Sequence, residues 1–530
     1  MTRHPFRAAR LRSSALAAAA AVAVVATGCT SSAGRTAGPP GSGPAKAGSP
    51  SGASPSPAGD FRAQKPAWRT CTDDGTAQSS DPAYRSAARR LECAKLRVPL
   101  DYAAPGGKSV QIAVYRLPAA GPAGQRLGSL ATNPGGPGSG VRSTVVGLAA
   151  AKPDVAKRYD IVGFDPRGTG ASRPVVCGDG PLMDRIQSLD PTTADAAQVD
   201  ANAAVLKEFG QGCAARTGDL LPHLGTAEAV EDMDVLRSVL GDDKVNFVGT
   251  SYGTYLGARY AAAHPDRVGR FVLDGLVDPA SDRFTVAREQ AVGFDTAFRA
   301  FAADCVQRRG CPFSGGADAA AASMRTMLGQ LGDRPRPVGK RALDEGMAST
   351  VVSAYLYSPA SWSALRDLLG TLYGGDARPM LRAFDSYARR ADDGTYQGAT
   401  LAGYYEINCA DGRSLTAAEA DRLAHEVAAD APVLGPSVVW SWAADCAAPG
   451  PDRAYPLDAV KLPNLLLVST TRDPATPNVA AARLKRQLPN AALVTYNGDG
   501  HVAFYRHNPC VDRATSSYLL TGAATDTTCS

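Results

Sequence analysis

Short apolar runs alternate with helix-like stretches through much of the chain. Runs such as 160–164 and 245–248 are almost continuously apolar, which is typical of strands buried on both faces. Residues 226–240 repeat apolar positions at helical spacing, and Thr226 can cap the start of that helix. This alternation predicts a mostly parallel sheet flanked by helices. Further predicted strands are 110–117, interpreted as a half-buried early or edge strand, and 130–132, 271–273, 465–468 and 492–496.

One long stretch, from about 284 to 442, interrupts the alternation. It is rich in alanine and helical in pattern. We interpret it as a helical cap inserted before the sheet resumes at Leu465. The predicted core therefore has a first part at 67–283 and a C-terminal part at 443–530.

The N-terminal segment predicts export. Four arginines within the first twelve residues precede an apolar run, 15–25, that is too short to span a bilayer core of roughly 30 Å. The run leads into Ala-Thr-Gly-Cys, which resembles a bacterial lipobox and predicts a signal peptide at 1–28 with a lipidated Cys29 as a membrane tether. Position 26 is alanine where the lipobox usually has leucine, so ordinary signal cleavage is the alternative.

Composition and charge predict a disordered tether and give no indication of a nucleic-acid partner. Residues 29–66 are mainly Ser, Gly, Pro and Ala and predict a disordered tether, with the folded part beginning near Trp68. The formal net charge is +5, but without the four leader arginines 52 Lys and Arg stand against 51 Asp and Glu. The chain therefore carries no basic surplus that would indicate a nucleic-acid partner.

The cysteines agree with an oxidising compartment. Eleven are present, and ten remain without Cys29, which permits five disulfides. Their clustering suggests sequential pairs such as Cys305 with Cys311 and Cys510 with Cys529, although sequence does not fix the connectivity. No Cys-x-x-Cys pair occurs and the histidines are not placed to complete a zinc site, so we expect no metal.

The strongest chemical signal is Gly-Thr-Ser-Tyr-Gly at 249–253. It follows the apolar run that ends at Val248 and precedes a helical stretch, 255–263. A strand-to-helix turn of this kind, a nucleophile elbow, exposes its central serine as a nucleophile. We therefore predict Ser251 as the catalytic nucleophile.

A base and an orienting acid follow later in the chain. Of six histidines, His501 lies in a glycine-bounded loop, Gly-Asp-Gly-His, after a predicted strand, with His507 as a fallback. Asp473 follows the strand at 465–468 and lies between nucleophile and base, as the order Ser, Asp, His of such enzymes requires. A turn aspartate before proline is the alternative interpretation of Asp473.

A glycine-rich loop, Asn-Pro-Gly-Gly-Pro-Gly at 133–138, lies upstream of the elbow. A phosphate-binding loop would end in Gly-Lys-Ser or Gly-Lys-Thr, which is missing here. Glycines let a backbone N–H face a substrate carbonyl oxygen. We predict an oxyanion hole from the amides of Gly136, with Gly135 as the alternative, and Tyr252.

These motifs resemble those of prolyl-aminopeptidase-type serine peptidases with the α/β-hydrolase fold, in which His-Gly-Gly-Pro-Gly stands where this chain has Asn-Pro-Gly-Gly-Pro-Gly. Asp-Pro-Arg-Gly-Thr-Gly-Ala-Ser at 165–172, Arg-Asp-Pro-Ala-Thr-Pro at 472–477 and Gly-Asp-Gly-His at 498–501 strengthen the resemblance. Over about 67–530, the chain is similar to secreted actinobacterial tripeptidyl aminopeptidases. The resemblance implies a serine exopeptidase without a cofactor.

Such an enzyme must recognise the free amino terminus of its peptide substrate. The resemblance places this recognition near the cap, where Glu406 is the first candidate and Asp411 the second. A surface acid near a disulfide is the alternative for both. A carboxylesterase or lipase would share the triad, and a catalytically inactive lipid-anchored binding protein is a third hypothesis.

Overall fold

The computed structural model describes residues 59–72, 79–458 and 460–530. The predicted signal peptide, Cys29 and most of the predicted tether lie outside the described residues. The prediction that folding begins near Trp68 is too late, because Gly59–Arg62 already forms a short helix. Phe61 is buried in the core and Arg62 pairs with Asp234, which anchors this segment to the folded part.

The described residues contain twelve strands. They are β1 (Arg69–Thr70), β2 (Glu92–Pro99), β3 (Ser109–Leu117), β4 (Ser129–Asn133), β5 (Asp160–Phe164), β6 (Val245–Thr250), β7 (Val268–Asp274), β8 (Arg336–Val338), β9 (Arg341–Leu343), β10 (Leu466–Arg472), β11 (Ala492–Asp499) and β12 (Thr527–Cys529).

Ten of these strands form one sheet in the order β1-β2-β3-β5-β4-β6-β7-β10-β11-β12. The pairs from β5 through β12 are parallel, whereas β1, β2, β3 and β5 pair antiparallel. The prediction of a mostly parallel sheet flanked by helices is therefore confirmed. Strands β8 and β9 form a separate hairpin.

Helices cover the sheet and form the insertion. Those before the insertion are α1 (Gly59–Arg62), α2 (Pro82–Ala88), α3 (Arg142–Ala151), α4 (Pro153–Ala156), α5 (Gly180–Gln187), α6 (Ala196–Thr217), α7 (Thr226–Leu240) and α8 (Tyr252–Ala263). The insertion carries α9 (Arg283–Cys305), α10 (Ala317–Asp333), α11 (Glu345–Leu356), α12 (Trp362–Tyr373), α13 (Arg378–Ala388), α14 (Thr400–Ala410), α15 (Ala417–Val427) and α16 (Gly435–Trp440). The last two are α17 (Val479–Gln487) and α18 (Pro509–Thr521).

The sheet is buried on both faces, as the continuous apolar runs predict. In β7, Phe271 and Leu273 belong to one apolar cluster, whereas the alternate residue Val272 belongs to a second cluster on the opposite face. Side chains of a strand alternate between faces, so a strand with apolar residues at every position requires cover on both sides. Helices of the core and the insertion provide that cover.

Two local predictions need correction. Strand β3 is early in the chain, as one alternative had it, but it lies between β2 and β5 and is not an edge strand. Helix α7 has the predicted bounds, but its N-cap is Gly225. Thr226 is the first helical residue, and the carboxylate of Asp411 accepts hydrogen bonds from its N–H and its hydroxyl.

Five disulfides join cysteines that are neighbours in sequence order, as predicted. The pairs are Cys71–Cys93, Cys177–Cys213, Cys305–Cys311, Cys409–Cys446 and Cys510–Cys529. Such cross-links form in oxidising compartments. No helix within the described ranges has the length and apolar character needed to cross a bilayer.

Candidate active site

A sharp turn holds Ser251 between β6 and α8. Ser251 has a φ of 57° and a ψ of −130°, a backbone conformation that residues other than glycine rarely adopt. Its N–H donates to the carbonyl of Asp274 at 2.9 Å, and the hydroxyl of Thr254 donates to its carbonyl at 2.6 Å. These bonds close the turn, so Ser251 lies at the N-terminal end of α8 in the geometry of a nucleophile elbow.

The flanking glycines are required by steric contact. A Cβ atom on Gly249 would lie 2.4 Å from the carbonyl oxygen of Gly253. A Cβ on Gly253 would lie 2.4 Å from the carbonyl oxygen of Asn133. Both distances are far below van der Waals contact, so larger residues would push the elbow away from β4. The Gly-x-Ser-x-Gly pattern therefore reflects close packing around the serine.

His501 and Asp473 form a buried pair. The ring nitrogen Nδ1 of His501 lies 2.8 Å from Oδ1 and 3.0 Å from Oδ2 of Asp473. Backbone N–H groups of Ala475 and Thr476 donate to Oδ1, and that of Val502 donates to Oδ2. Hydrogen-bond donors therefore reach both oxygens of Asp473, and Nδ1 of His501 lies within hydrogen-bond distance of each oxygen.

The three predicted catalytic residues follow the carboxyl ends of neighbouring parallel strands. Ser251 follows β6, Asp473 follows β10 and His501 comes two residues after β11. Between them, a Cβ on Gly275, just after β7, would lie 3.2 Å from Cε1 of His501. Since Asp274 accepts the N–H of Ser251, the end of β7 contacts both the elbow and the histidine.

Asp274 fixes the histidine loop to the sheet. Its Oδ2 accepts the N–H groups of Ala503 and Phe504 at 2.8 and 2.6 Å. Its Oδ1 is buried and has no hydrogen-bond partner among the described residues. Burial raises the pKa of Asp274 to about 7, although the two N–H donors oppose the shift.

The glycine-rich loop lies directly against the elbow. A Cβ on Gly135 would lie 2.8 Å from the amide nitrogen of Tyr252. The N–H of Gly135 itself donates to Oδ1 of Asn133 at 2.9 Å, so it is engaged. In the part of the chain that the structure describes, no acceptor takes the N–H of Gly136. This arrangement favours Gly136 over Gly135 as a donor to a substrate oxygen.

The profile of the α/β-hydrolase fold matches residues 132–508, a range that includes the glycine-rich loop and all three predicted catalytic residues. The chain belongs to the α/β-hydrolase family. It is 34% identical over 487 residues to the serine protease Hip1 of Mycobacterium tuberculosis, which covers 86% of this chain and 88% of the relative.

Two further relatives have similar coverage. The tripeptidyl aminopeptidase of Streptomyces coelicolor is 32% identical over 454 residues, or 83% of each chain. Carboxylesterase B of Mycobacterium tuberculosis is 34% identical over 485 residues, or 88% of this chain and 90% of the relative. This α/β-hydrolase is a serine hydrolase, as the elbow predicts.

Glu406 lies in the cap of the hydrolase, on α14. Its side chain is buried, with 3% of the residue exposed, and a carboxylate oxygen lies within 4.8 Å of the sulfurs of Cys177 and Cys213. No cation or hydrogen-bond donor from the described residues reaches this carboxylate. Burial therefore raises the pKa of Glu406 to about 7.

Asp411 is the second candidate for substrate binding, and both of its carboxylate oxygens already accept hydrogen bonds within the protein. Its Oδ1 accepts the N–H of Thr226 at 2.7 Å and its Oδ2 accepts the hydroxyl of Thr226 at 2.5 Å. The same hydroxyl lies 2.5 Å from the hydroxyl of Tyr252, beside the nucleophile. Asp411 therefore connects the cap to the elbow, and the geometry favours Glu406 for ligand binding.

The described residues offer one group of three close metal-ligand atoms, from Cys177, Cys213 and Glu406. The two cysteines are joined as a disulfide, so neither can supply a thiolate. One carboxylate alone makes a poor metal site.

Tyr357 and Asp274 are among the residues that contact His501 or its loop and that sequence analysis missed. Tyr357, which follows α11 in the cap, accepts the N–H of His501 with its carbonyl at 2.9 Å, and the two rings meet edge to face. No sequence pattern indicates this contact across 144 residues. Asp274 offered a usable signal, because an acid at the carboxyl end of the strand next to the nucleophile strand lies near the site by topology.

Proposed function

We propose that this hydrolase is an exported serine exopeptidase that releases tripeptides or N-terminal residues from peptides with a free amino terminus. The main observation behind this proposal is Glu406, a buried carboxylate with no partner among the described residues. It lies on α14, the helix that packs against the glycine-rich loop at 133–138. A Cβ on Gly138 in that loop would lie 2.4 Å from the carbonyl oxygen of Thr400 and 2.8 Å from the amide nitrogen of Tyr404, both on α14. The similarity to a serine protease and a tripeptidyl aminopeptidase supports the proposal.

The proposed chemistry is acyl transfer. Nε2 of His501 takes the proton of Ser251 as Oγ bonds to the substrate carbonyl carbon, and Asp473 stabilises the imidazolium. The amides of Gly136 and Tyr252 donate to the oxyanion. His501 then protonates the leaving amine, and water releases the acyl group by the same steps.

In this proposal, the carboxylate of Glu406 binds the ammonium group at the amino terminus of the peptide substrate. A substrate ammonium would supply the missing partner and favour the ionised carboxylate. A buried carboxylate with no partner among the described residues is well suited to bind a cation from outside. An N-acetylated peptide has no such cation, so the proposal predicts its exclusion.

Export is supported by the leader and by the five disulfides. A basic segment followed by an apolar run and Ala-Thr-Gly-Cys fits a secretory signal with a lipid-anchored Cys29. Mass spectrometry of the mature protein from an envelope fraction tests this: a diacylated N-terminal cysteine supports the anchor, and a free N-terminus elsewhere contradicts it.

The proposed activity is tested with four substrates and the purified protein. They are Ala-Pro-Ala-p-nitroanilide, its N-acetylated form, Pro-p-nitroanilide and p-nitrophenyl butyrate, each also given to Ser251→Ala. We expect cleavage of the free tripeptide, loss of cleavage on acetylation, and no activity in the variant. A fluorophosphonate probe should label the wild type and leave Ser251→Ala unlabelled.

The second candidate is a carboxylesterase, which the 34% identity to carboxylesterase B favours. Cleavage of the butyrate ester alone, dependent on Ser251, would retain the triad and assign the esterase function. Absence of both labelling and hydrolysis would favour a binding protein that has lost catalysis.

A further inference from the structure

Two buried arginines, one just after cap helix α14 and one on core helix α8, have no ion-paired carboxylate among the described residues. Arg413 is 8% exposed and Arg259 is 9% exposed. Nη1 of Arg259 donates to the hydroxyl of Tyr255 at 3.0 Å. Beyond that bond, across 59–72, 79–458 and 460–530, neither guanidinium forms an ion pair or a hydrogen bond. Burying a cation without a partner is unfavourable, so this pair needs an explanation.

A third buried arginine shows how the fold satisfies a guanidinium that has only a structural role. Arg167 is fully buried, and its Nε and Nη2 donate to the two oxygens of Asp232 at 2.9 and 2.7 Å. Its remaining donors reach the carbonyls of Leu100 and Pro99. Arg413 has none of these partners. Its side-chain nitrogens are not among the fully buried atoms that lack a hydrogen-bond partner, so they retain contact with solvent.

Aromatic rings hold the two guanidinium groups. Cζ of Arg413 lies 4.8 Å from the ring centroid of Tyr255 and 5.8 Å from that of Trp442. Cζ of Arg259 lies 5.6 Å from the Tyr255 ring and 3.2 Å from that of Tyr455. These contacts orient the groups and stabilise the charge but leave the N–H donors of Arg413 unused.

The carboxylate of Asp411 lies near both arginines but forms its hydrogen bonds elsewhere. Arg259 and Arg413 both interact electrostatically with Asp411. Its two oxygens accept the N–H and the hydroxyl of Thr226, and neither guanidinium donates to them.

The aromatic residues that hold the pair connect it to the proposed catalytic residues. Tyr255 is four residues along α8 from Ser251, a rise of about 6 Å. The ring of Trp442 contacts the ring of Tyr404, and the backbone amide of Tyr404 packs against the glycine-rich loop. Trp442 also donates to Gln290, whose amide donates to the carbonyl of Ala475 in the acid loop.

We propose that Arg413, supported by Arg259, forms a subsite for an acidic side chain of the peptide that the enzyme releases. A guanidinium binds a carboxylate through two parallel N–H donors, which distinguishes Asp or Glu from the isosteric amides. This inference rests on the proposed peptidase function and adds a side-chain preference to it.

The test uses free-amine tripeptide p-nitroanilides derived from Ala-Pro-Ala, with Glu or Gln at each position in turn. At one position we expect the wild type to favour Glu over Gln by about tenfold in kcat/KM. Arg413→Met should bring this ratio to about one, chiefly by lowering kcat/KM for the Glu peptide. Arg413→Lys should keep part of the preference, and exposed Arg309→Met should keep all of it.

Three outcomes overturn the inference. The wild type shows no Glu preference at any position, a result that does not depend on how the variants fold. A folded Arg413→Met variant, checked by circular dichroism, retains the preference. The third outcome is that tetrapeptides with a free C-terminal carboxylate are cleaved better than their amides, while Glu peptides are cleaved no better than Gln peptides. That result would assign the arginines to the C-terminal end of the substrate. Failure to cleave any free-amine tripeptide instead contradicts the proposed function itself.

Discussion

The catalytic edge of the sheet and cap helix α14 each bury a carboxylate, but they surround it differently. Asp473 accepts three backbone N–H groups and lies against the ring of His501. Glu406 is as deeply buried and has no donor from the described residues. The fold itself supplies the donors that hold Asp473 against the histidine. In the proposed function, the substrate ammonium supplies the partner that Glu406 lacks among the described residues.

Asp274 lies between these two extremes. One of its oxygens accepts two N–H groups from the histidine loop, and the other has no partner among the described residues. Its pKa is raised to about 7, like that of Glu406. Asp473, Asp274 and Glu406 are all buried but accept three, two and no hydrogen bonds from backbone N–H groups of the described residues. Each can therefore be altered with a different expected result.

The largest effect is expected from Asp473→Asn. The amide cannot hold the proton on Nδ1 of His501, and its NH₂ group would face backbone donors, so kcat should fall by about a thousandfold or more. The measurement is kcat on Ala-Pro-Ala-p-nitroanilide. The control Asp376→Asn, at a half-exposed position far along the chain from the triad, should stay within twofold of wild type. If Asp473→Asn keeps a tenth of kcat while His501→Ala does not, another group orients the histidine.

A smaller loss is expected from Asp274→Ala. The N–H groups of Ala503 and Phe504 would lose their buried acceptor, each at a cost of about 1–3 kcal/mol. The histidine loop should shift and kcat should fall about tenfold to a hundredfold, with KM nearly unchanged. Asp274→Asn keeps an acceptor oxygen and should recover most of kcat. Equal loss in both variants would instead indicate that the charge of Asp274 matters directly.

These contrasts show which parts of the site sequence can predict. Ser251 was predictable because the elbow is local: the glycines at 249 and 253 are required by contacts within a few residues and with one neighbouring strand. His501 and Asp473 could be proposed because each follows a recognisable strand. The structure places the two side chains in hydrogen-bond contact, and their catalytic roles stay a prediction.

The rest depends on contacts between distant segments. The bonds from Asp411 to Thr226 join residues 185 positions apart, and the bond from Asp274 to Ala503 joins residues 229 apart. No periodic pattern encodes such pairings. Strand β2 was also missed, although Lys95 and Arg97 alternate with its buried apolar residues. Without β2, strand β3 resembled an edge strand.

The next effect in size concerns substrate binding by Glu406. Glu406→Gln should raise KM for Ala-Pro-Ala-p-nitroanilide about tenfold, because a charge-assisted bond to the ammonium is lost, and leave p-nitrophenyl butyrate unaffected. In the wild type, kcat/KM for the peptide should rise as pH increases through about 7, where Glu406 ionises. It should fall again above about 8, where the peptide amine loses its proton. Equal impairment of peptide and ester would contradict the role in amine binding.

The smallest effect is on stability and needs no substrate. Burial raises the pKa of Glu406 from the usual 4.5 to about 7, so the folded protein holds this proton more tightly than the unfolded chain does. Ionisation therefore destabilises the fold as pH rises from 4.5 through 7, by up to about 3 kcal/mol at pH 8. Glu406→Gln, which cannot ionise, should match wild type at pH 5 and exceed it at pH 8 in denaturant unfolding. Exposed Glu426→Gln is the control and should show no such pH-dependent gain. An equal difference at both pH values would mean that the carboxylate has a partner, and the contrast with Asp473 would then fail.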